Sequence, residues 1–307
     1  MATASRIPAD HKLTARMLTV VFLLGLLYAV FVAVLLQVGV SPALVIILAG
    51  GLLFVQYWYS DRIALFGMHG RVVSREEAPE LHAIVERLCA LADMPKPQVA
   101  IADTDVPNAF ATGRSTKRAV VCATSGIMRR LDADELEGVL AHELSHVAHR
   151  DVAVMTIASF VGVLAGFITR FTLYSGMFGG WGGYGDDERD NSAAMILVVM
   201  FVSMIVYALS FLLIRALSRY RELSADRSGA LLTGRPSELA SALQKITGEM
   251  ARIPTRDLRQ AEPFNAFFFT PALAQGFSIS SLFSTHPSLE VRLNQLAKIS
   301  AELGQPV

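Results

Sequence analysis

The sequence predicts a mostly α, α+β fold, with helical transmembrane segments joined to a cytoplasmic domain that carries a small β-sheet. Three observations predict it. The 44 residues from Met17 to Ser60 contain no charged side chain. Two more uncharged apolar stretches follow, Val152 to Thr169 and Asn191 to Ile214. The remaining sequence is polar, with helix-start signals and two short β-rich runs.

Composition agrees. The chain has 307 residues, 53% of them hydrophobic, and a mean hydropathy of +0.45. That is richer in apolar residues than ordinary soluble domains. The 27 Lys and Arg balance 27 Asp and Glu, so there is no electrostatic case for nucleic acid as a partner. Cys89 and Cys122 are too few for a disulfide framework and form no CxxC pattern. They read as small buried residues, reduced in a cytoplasmic setting.

The first uncharged stretch divides at Gly39-Val40-Ser41-Pro42. Each half has about 20 residues, enough to cross a hydrocarbon core of about 30 Å. The expectation is a hairpin, Met17 to Val38 and Pro42 to Tyr59, with Tyr57, Trp58 and Tyr59 at the interface. Arg6, Lys12 and Arg16 give it the basic start of a signal peptide. The apolar core is too long for one, and a second segment follows at once, so it reads as an uncleaved anchor.

In the polar part, Ser74-Arg75-Glu76-Glu77 reads as a capping box for a helix reaching Ala92, stopped by Met94-Pro95-Lys96-Pro97. Gln98 to Ile101 and Ala119 to Ala123 read as strands. Asp132 caps a helix from Ala133 through Arg150, another helix begins near Ser237, and a last one follows Pro287. The later apolar stretches have 18 and 24 residues, which favours spanning over burial in a soluble core. Between them lie Gly-rich 176–185 and an acidic run, Asp186-Asp187-Glu188-Arg189-Asp190. Four regions result: a transmembrane hairpin over 1–60, a first polar part over 61–151, two apolar segments over 152–214, and a second polar part over 215–307. Lys and Arg flank three segment ends, at Arg6, Lys12 and Arg16, at Arg62 and Arg71, and at Arg215, Arg219 and Arg221. Positive-inside then puts both termini and the polar domain in the cytoplasm of a multi-pass membrane protein.

The chemistry centres on His142-Glu143-Leu144-Ser145-His146, an HExxH inside a predicted helix. Residues four apart share a helix face, so both imidazoles can reach one metal. Zinc takes neutral imidazole and, in catalytic sites, three protein ligands plus water. Glu143 lies beside the first ligand, placed to take a proton from that water. By chance the motif arises about once in a hundred chains of this length. Glu222-Leu223-Ser224-Ala225-Asp226 offers the third ligand. Glu222 and Asp226 share a face, so Glu222 can bind the metal while Asp226 accepts a hydrogen bond from a ligand imidazole.

With these residues the chain resembles the HtpX family of membrane zinc endopeptidases, related to the CAAX prenyl proteases. The matching pieces are Pro107-Asn108-Ala109-Phe110-Ala111-Thr112-Gly113, His142 to His146, Glu222 to Asp226, and Ser284-Thr285-His286-Pro287. The resemblance implies a gluzincin-like zinc protease domain, one Zn²⁺ per chain on His142, His146 and Glu222, and Glu143 as general base. It implies that Asn108, Ala109 and Phe110 belong to an edge strand that pairs with substrate backbone. It also implies that His286 and Arg292 face the scissile carbonyl. Finally, it implies a stress-linked protease of the cell inner membrane that removes damaged membrane proteins, with protein substrates and the bilayer as partners.

His149 follows His146 by three, but the glycine turn of a metzincin is absent, so it is expected behind the site or at the surface. His11, His69 and His82 have no partner pattern. Phe264, Phe267, Phe268 and Phe269 read as packing onto the domain or the bilayer interface, with a hydrophobic substrate surface or lid as the alternative. A CAAX prenyl-type protease and an inactive zinc-binding adaptor remain the alternatives. A closed structural zinc site would need a fourth protein ligand. Charged residues close around the motif, Arg129 to Glu135 and His149 to Asp151, place it outside a membrane span.

Overall fold

The computed structural model describes residues 11–37, 68–113, 115–151, 186–250 and 286–305, with scattered positions at 47, 51, 54, 58, 59, 65, 66, 154, 155, 158, 165, 166 and 252. Its first element is helix α1 (His11–Gln37). Val20, Leu24, Phe31 and Leu35 recur at helical spacing and are buried, whereas Leu18, Phe22, Leu26 and Val30 point outward. Apolar residues thus cover both faces, unlike the single stripe of a helix on a soluble core.

The small sheet follows. Strands β1 (Gly70–Val72), β2 (Gln98–Ala102), β3 (Ala109–Thr112) and β4 (Val120–Thr124) lie in the order β1-β2-β4-β3. The central β2–β4 pair is parallel and both outer pairs are antiparallel. Alternation sorts the side chains. Val99, Val121 and Ala123 face the main core, while Ala100, Ala102, Phe110, Val120 and Cys122 form a smaller cluster on the other face.

Helix α2 (Pro79–Ala92) covers the main face through Leu81, Val85 and Leu88. It begins later than the Ser74 capping box predicts. Glu77 does accept a bond from the Ser74 N–H at 2.8 Å, but this closes a turn ahead of the helix. Proline disfavours helical geometry at the residue before it, and Ala78 is indeed non-helical. Pro79 then suits the first helical position, where no N–H is needed. Strand β1 has only three residues, and the sequence reading did not include it.

After the short helix α3 (Ser125–Arg130) comes α4 (Ala133–Ala148), which carries HExxH. Asp132 and Glu135 form a complete capping box at its start. Helix α5 (Asp186–Thr233) runs unbroken for 48 residues, about 72 Å at 1.5 Å per residue. It packs antiparallel to α1, with Leu217 against Val20 and Leu24, and Val206 against Phe31 and Leu35. Helices α6 (Pro236–Met250) and α7 (Leu289–Glu302), the latter capped by Ser288, complete the domain.

One close approach sets up the site. A Cβ on Gly229 would lie 2.9 Å from the His142 nitrogen and 3.1 Å from its Cα. Only glycine lets the backbones of α5 and α4 come this near, and it does so one turn after Asp226.

The stretches 14–37 in α1 and 197–233 in α5 are long and apolar enough to cross a membrane. Phe22 is 69% exposed and Phe201 58%, a display that water would penalise over so many neighbours. The fold class is therefore as predicted: mostly helical, with apolar helices and one small mixed sheet. The expected second hairpin segment (Pro42 to Tyr59), the Val152 to Thr169 segment, the glycine loop over 176–185 and the Phe264 to Phe269 stretch lie outside the described residues, apart from the scattered positions named.

Candidate active site

Helix periodicity places His142, Glu143 and His146 on α4, all buried, with the two imidazoles facing Glu222 across the α4–α5 contact. The His142 and His146 Nε2 atoms are 3.2 Å apart. Glu222 Oε2 lies 3.6 Å from the first, and Oε1 lies 3.4 Å from the second. Zinc bonds of 2.0–2.1 Å in a tetrahedron put neighbouring donors about 3.3 Å apart. The three donors thus already stand at the separation a zinc-sized ion requires.

Their lone pairs are aimed there as well. His142 Nδ1 donates to Asp226 Oδ1 at 2.9 Å, and His146 Nδ1 donates to Asp151 Oδ2 at 2.6 Å. With each Nδ1 committed, each Nε2 is left as the metal-facing atom. Arg292 grips Asp226 with Nε at 2.7 Å and Nη2 at 2.6 Å. Arg221 Nε approaches Asp151 Oδ2 at 3.1 Å. His286 Nδ1 lies 3.1 Å from Glu222 Oε2.

Charge points the same way. Glu143, Asp151, Glu222 and Asp226 are buried, and among the described residues Arg221 pairs with Asp151 and Arg292 with Asp226. Two negative charges remain, the number a divalent cation cancels while the imidazoles stay neutral.

The titration shifts follow from this crowding. Burial alone would raise the Asp151 carboxyl, but Arg221 and the His146 bond outweigh it and hold it down at about 2. Glu222 is pulled well below the carboxylate range against burial by His286, His142 and His146. Asp226 is lowered against burial by Arg292. In the metal-free protein, burial pushes both α4 imidazoles down. The Asp226 and Glu222 bonds nevertheless raise His142, and Asp151 with Glu222 raises His146 to about 10. Glu143 behaves differently, because burial dominates and raises it.

Glu143 also joins the sheet. Its Oε2 accepts the Ala111 N–H of β3 at 2.9 Å. Thr124 N–H donates to the Asn108 carbonyl, so by antiparallel alternation the Ala109 and Ala111 backbone groups turn away from β4. Strand β3 stands at the end of the sheet order, beside the buried base.

The expected residues fall in different places. His142, His146, Glu222, Glu143, Asp226 and His286 come together. Asn108 is fully buried, with its backbone tied to Thr124. The Phe110 side chain packs in the cluster on the far side of the sheet, and Ala111 is the β3 residue that meets Glu143. Arg292 is 2% exposed and its fork is spent on Asp226. His149 is the C-cap of α4 and is exposed. Among the described residues, the metal-capable group is His142, His146 and Glu222. Burial raises the Cys89 thiol to about 11 and the Cys122 thiol to about 12, as suits inert packing.

Sequence reasoning missed Asp151, Arg221 and Ala111. Asp151 lies just past the helix end, where periodicity says nothing, and Arg221 read only as one more basic residue at a segment end.

Residues 75–300 match the description of Peptidase family M48. The chain belongs to peptidase family M48. Protease HtpX homolog 1 of Streptomyces coelicolor is 61% identical over 302 residues, covering 98% of this chain and 97% of that protein. Protease HtpX homolog of Moorella thermoacetica is 56% identical over 296 residues, covering 96% and 97%. Protease HtpX homolog of Pyrococcus furiosus is 44% identical over 253 residues, covering 82% and 84%. In fold, the chain is similar to S. mikatae Ste24p, with a TM-score of 0.53 at 18% identity, over 94% of this chain and 67% of that one. This M48 member is an HtpX-type membrane metalloprotease, a hydrolase of peptide bonds.

Proposed function

We propose that the chain is a zinc-dependent endopeptidase that removes misfolded or damaged membrane proteins under stress, cutting them in cytosolic loops. The observation that carries the reading is the Glu143 carboxylate. It lies beside the His142–His146–Glu222 group and reaches the N–H of an edge strand.

His142, His146 and Glu222 would hold the zinc ion, which supplies Lewis acidity toward water and the scissile carbonyl. Asp226 and Asp151 keep the imidazoles in the metal-binding tautomer. Glu143 takes a proton from water as its oxygen attacks the carbonyl carbon, then gives that proton to the amine nitrogen as the C–N bond breaks. A carboxylate raised by burial suits this return transfer. With the Ala111 N–H held by Glu143, the outward backbone groups of Ala109 and the Ala111 carbonyl pair with an extended substrate, which gives affinity with little sequence preference. His286 has Nδ1 engaged by Glu222, so contact with the carbonyl oxygen falls to Nε2.

Glu143→Gln should retain zinc and lose casein-degrading activity by a factor of about 10² to 10⁴. Full activity in the zinc-loaded variant would sink the assignment. Preferential cleavage of a prenylated CAAX peptide would favour the CAAX-type alternative. Zinc binding without hydrolysis by the wild type would favour the adaptor.

The same reading sets topology in the inner membrane, with both termini and the catalytic domain cytoplasmic. Glu222 meets His142 and His146 on one side, so an even number of crossings must separate them. If the apolar part of α5 crosses, the Val152 to Thr169 segment crosses too. Single-cysteine labelling at Asp187 and Lys298 checks this: Asp187 should label from outside and Lys298 only after permeabilisation. An external Lys298 overturns the orientation.

A further inference from the structure

The two imidazoles of α4 are each gripped at Nδ1 by a buried carboxylate, and each carboxylate meets an arginine. The first chain runs His142, Asp226, Arg292. The second runs His146, Asp151, Arg221. We propose that Asp151, held by Arg221, is a positioning residue that fixes His146 for metal binding, as Asp226 does for His142. This rests on the reading of His142, His146 and Glu222 as metal ligands.

The local backbone is built for this contact. Helix α4 ends at Ala148, and Arg150 adopts a left-handed φ of 56°. That conformation is costly for a residue with a Cβ and persists only where surrounding structure imposes it. It turns the chain back so that Asp151, 2% exposed, reaches the ring five residues behind it. Arg221 directly precedes Glu222 on α5. One turn of α5 thus delivers both a ligand for the metal and a guanidinium for Asp151. An Asp151–Arg221 pair of purely structural purpose would have the arginine as its nearest partner. Instead the imidazole is nearer, at 2.6 Å against 3.1 Å.

The test uses the full-length protein in detergent, with zinc affinity measured by competition with a chromophoric chelator and the ligand field read from Co²⁺ absorption. Asp151→Ala should weaken zinc binding about 10- to 100-fold and shift the Co²⁺ visible bands. Asp151→Asn keeps an acceptor for Nδ1–H and should lose less. Arg221→Gln should fall between Asp151→Asn and wild type. A wild-type zinc affinity and Co²⁺ spectrum in Asp151→Ala, with only a lower melting temperature of the metal-free protein, would overturn the proposal and leave a structural ion pair. His146→Ala separates the two readings. If it binds zinc like wild type, the ligand assignment itself fails. If it loses zinc while Asp151→Ala does not, only the role of Asp151 fails. Should Asp151→Ala not fold, near-isosteric Asp151→Asn decides: weaker zinc binding with a shifted spectrum supports the proposal, and wild-type values refute it.

Discussion

From Leu197 to Leu212, α5 turns Leu197, Phe201, Met204, Ile205, Leu209 and Leu212 outward. From Glu222 to Ser228, the same helix buries Glu222, Asp226 and Ser228. One continuous rod shows apolar groups to its surroundings at one end and hides charge inside protein at the other. The difference lies in what each half packs against. The first half meets α1, whose own outer face is apolar. The second half meets α4 and α7, which bring two imidazoles and a guanidinium to match its carboxylates. Gly229 brings α5 close enough to α4 for those partners to touch. Because α5 is one continuous helix from Asp186 to Thr233, its apolar half and its carboxylate-bearing half are held rigidly relative to each other.

Truncating one residue in each half should separate the two roles of α5. Glu222→Ala removes a donor from the metal group and leaves His142, His146 and His286 facing a gap. Zinc affinity should fall by more than the roughly 10- to 100-fold typical of losing an orienting partner. Phe201→Ala removes an exposed apolar side chain and should leave zinc affinity unchanged. His149→Ala serves as a further control with little expected effect. If Glu222→Ala keeps the metal while His149→Ala strips it, the ligand set is wrong. If Phe201→Ala weakens zinc as much as Glu222→Ala, the two halves are not independent.

Much of this arrangement is legible in the sequence because it obeys helical periods. His142 with His146, and Glu222 with Asp226, each lie four apart, and that spacing alone puts each pair on one face. The uncharged lengths of α1 and α5 declare their environment. What the sequence hides obeys no period. Asp151 reaches His146 only through the reversal at Arg150, a residue type that does not advertise a left-handed turn. Arg221 carries the same charge as Arg215 and Arg219, and only the direction it takes around α5 makes it a partner for Asp151. Ala111 acts through its N–H, which every residue except proline has. Ser74 misled for the opposite reason, since its capping pattern is genuine but Pro79 moves the helix start beyond it.

Protons act on the second half of α5 and its partners but have nothing to titrate among the apolar residues of the first. Zinc binds neutral imidazole, so each protonated ring must release its proton on loading. In the metal-free protein His146 is held at about 10 and His142 is also raised, both by buried carboxylates that favour the imidazolium. A raised pKa keeps the ring protonated to higher pH, so protons compete with zinc across the neutral range. Apparent affinity should therefore keep rising by about tenfold or more per pH unit between pH 7 and 9. An ordinary imidazole, with a pKa of about 6.5, would level off above pH 7. Glu222 adds nothing to the slope, because its carboxyl is already ionised throughout that range. Replacing Asp226 by Asn removes the charge that raises His142, so the slope should flatten even as zinc binding weakens. The measurement is a chelator competition at each pH, corrected for the chelator's own protonation. A wild-type profile flat above pH 7 would mean the carboxylates orient the rings without raising their basicity.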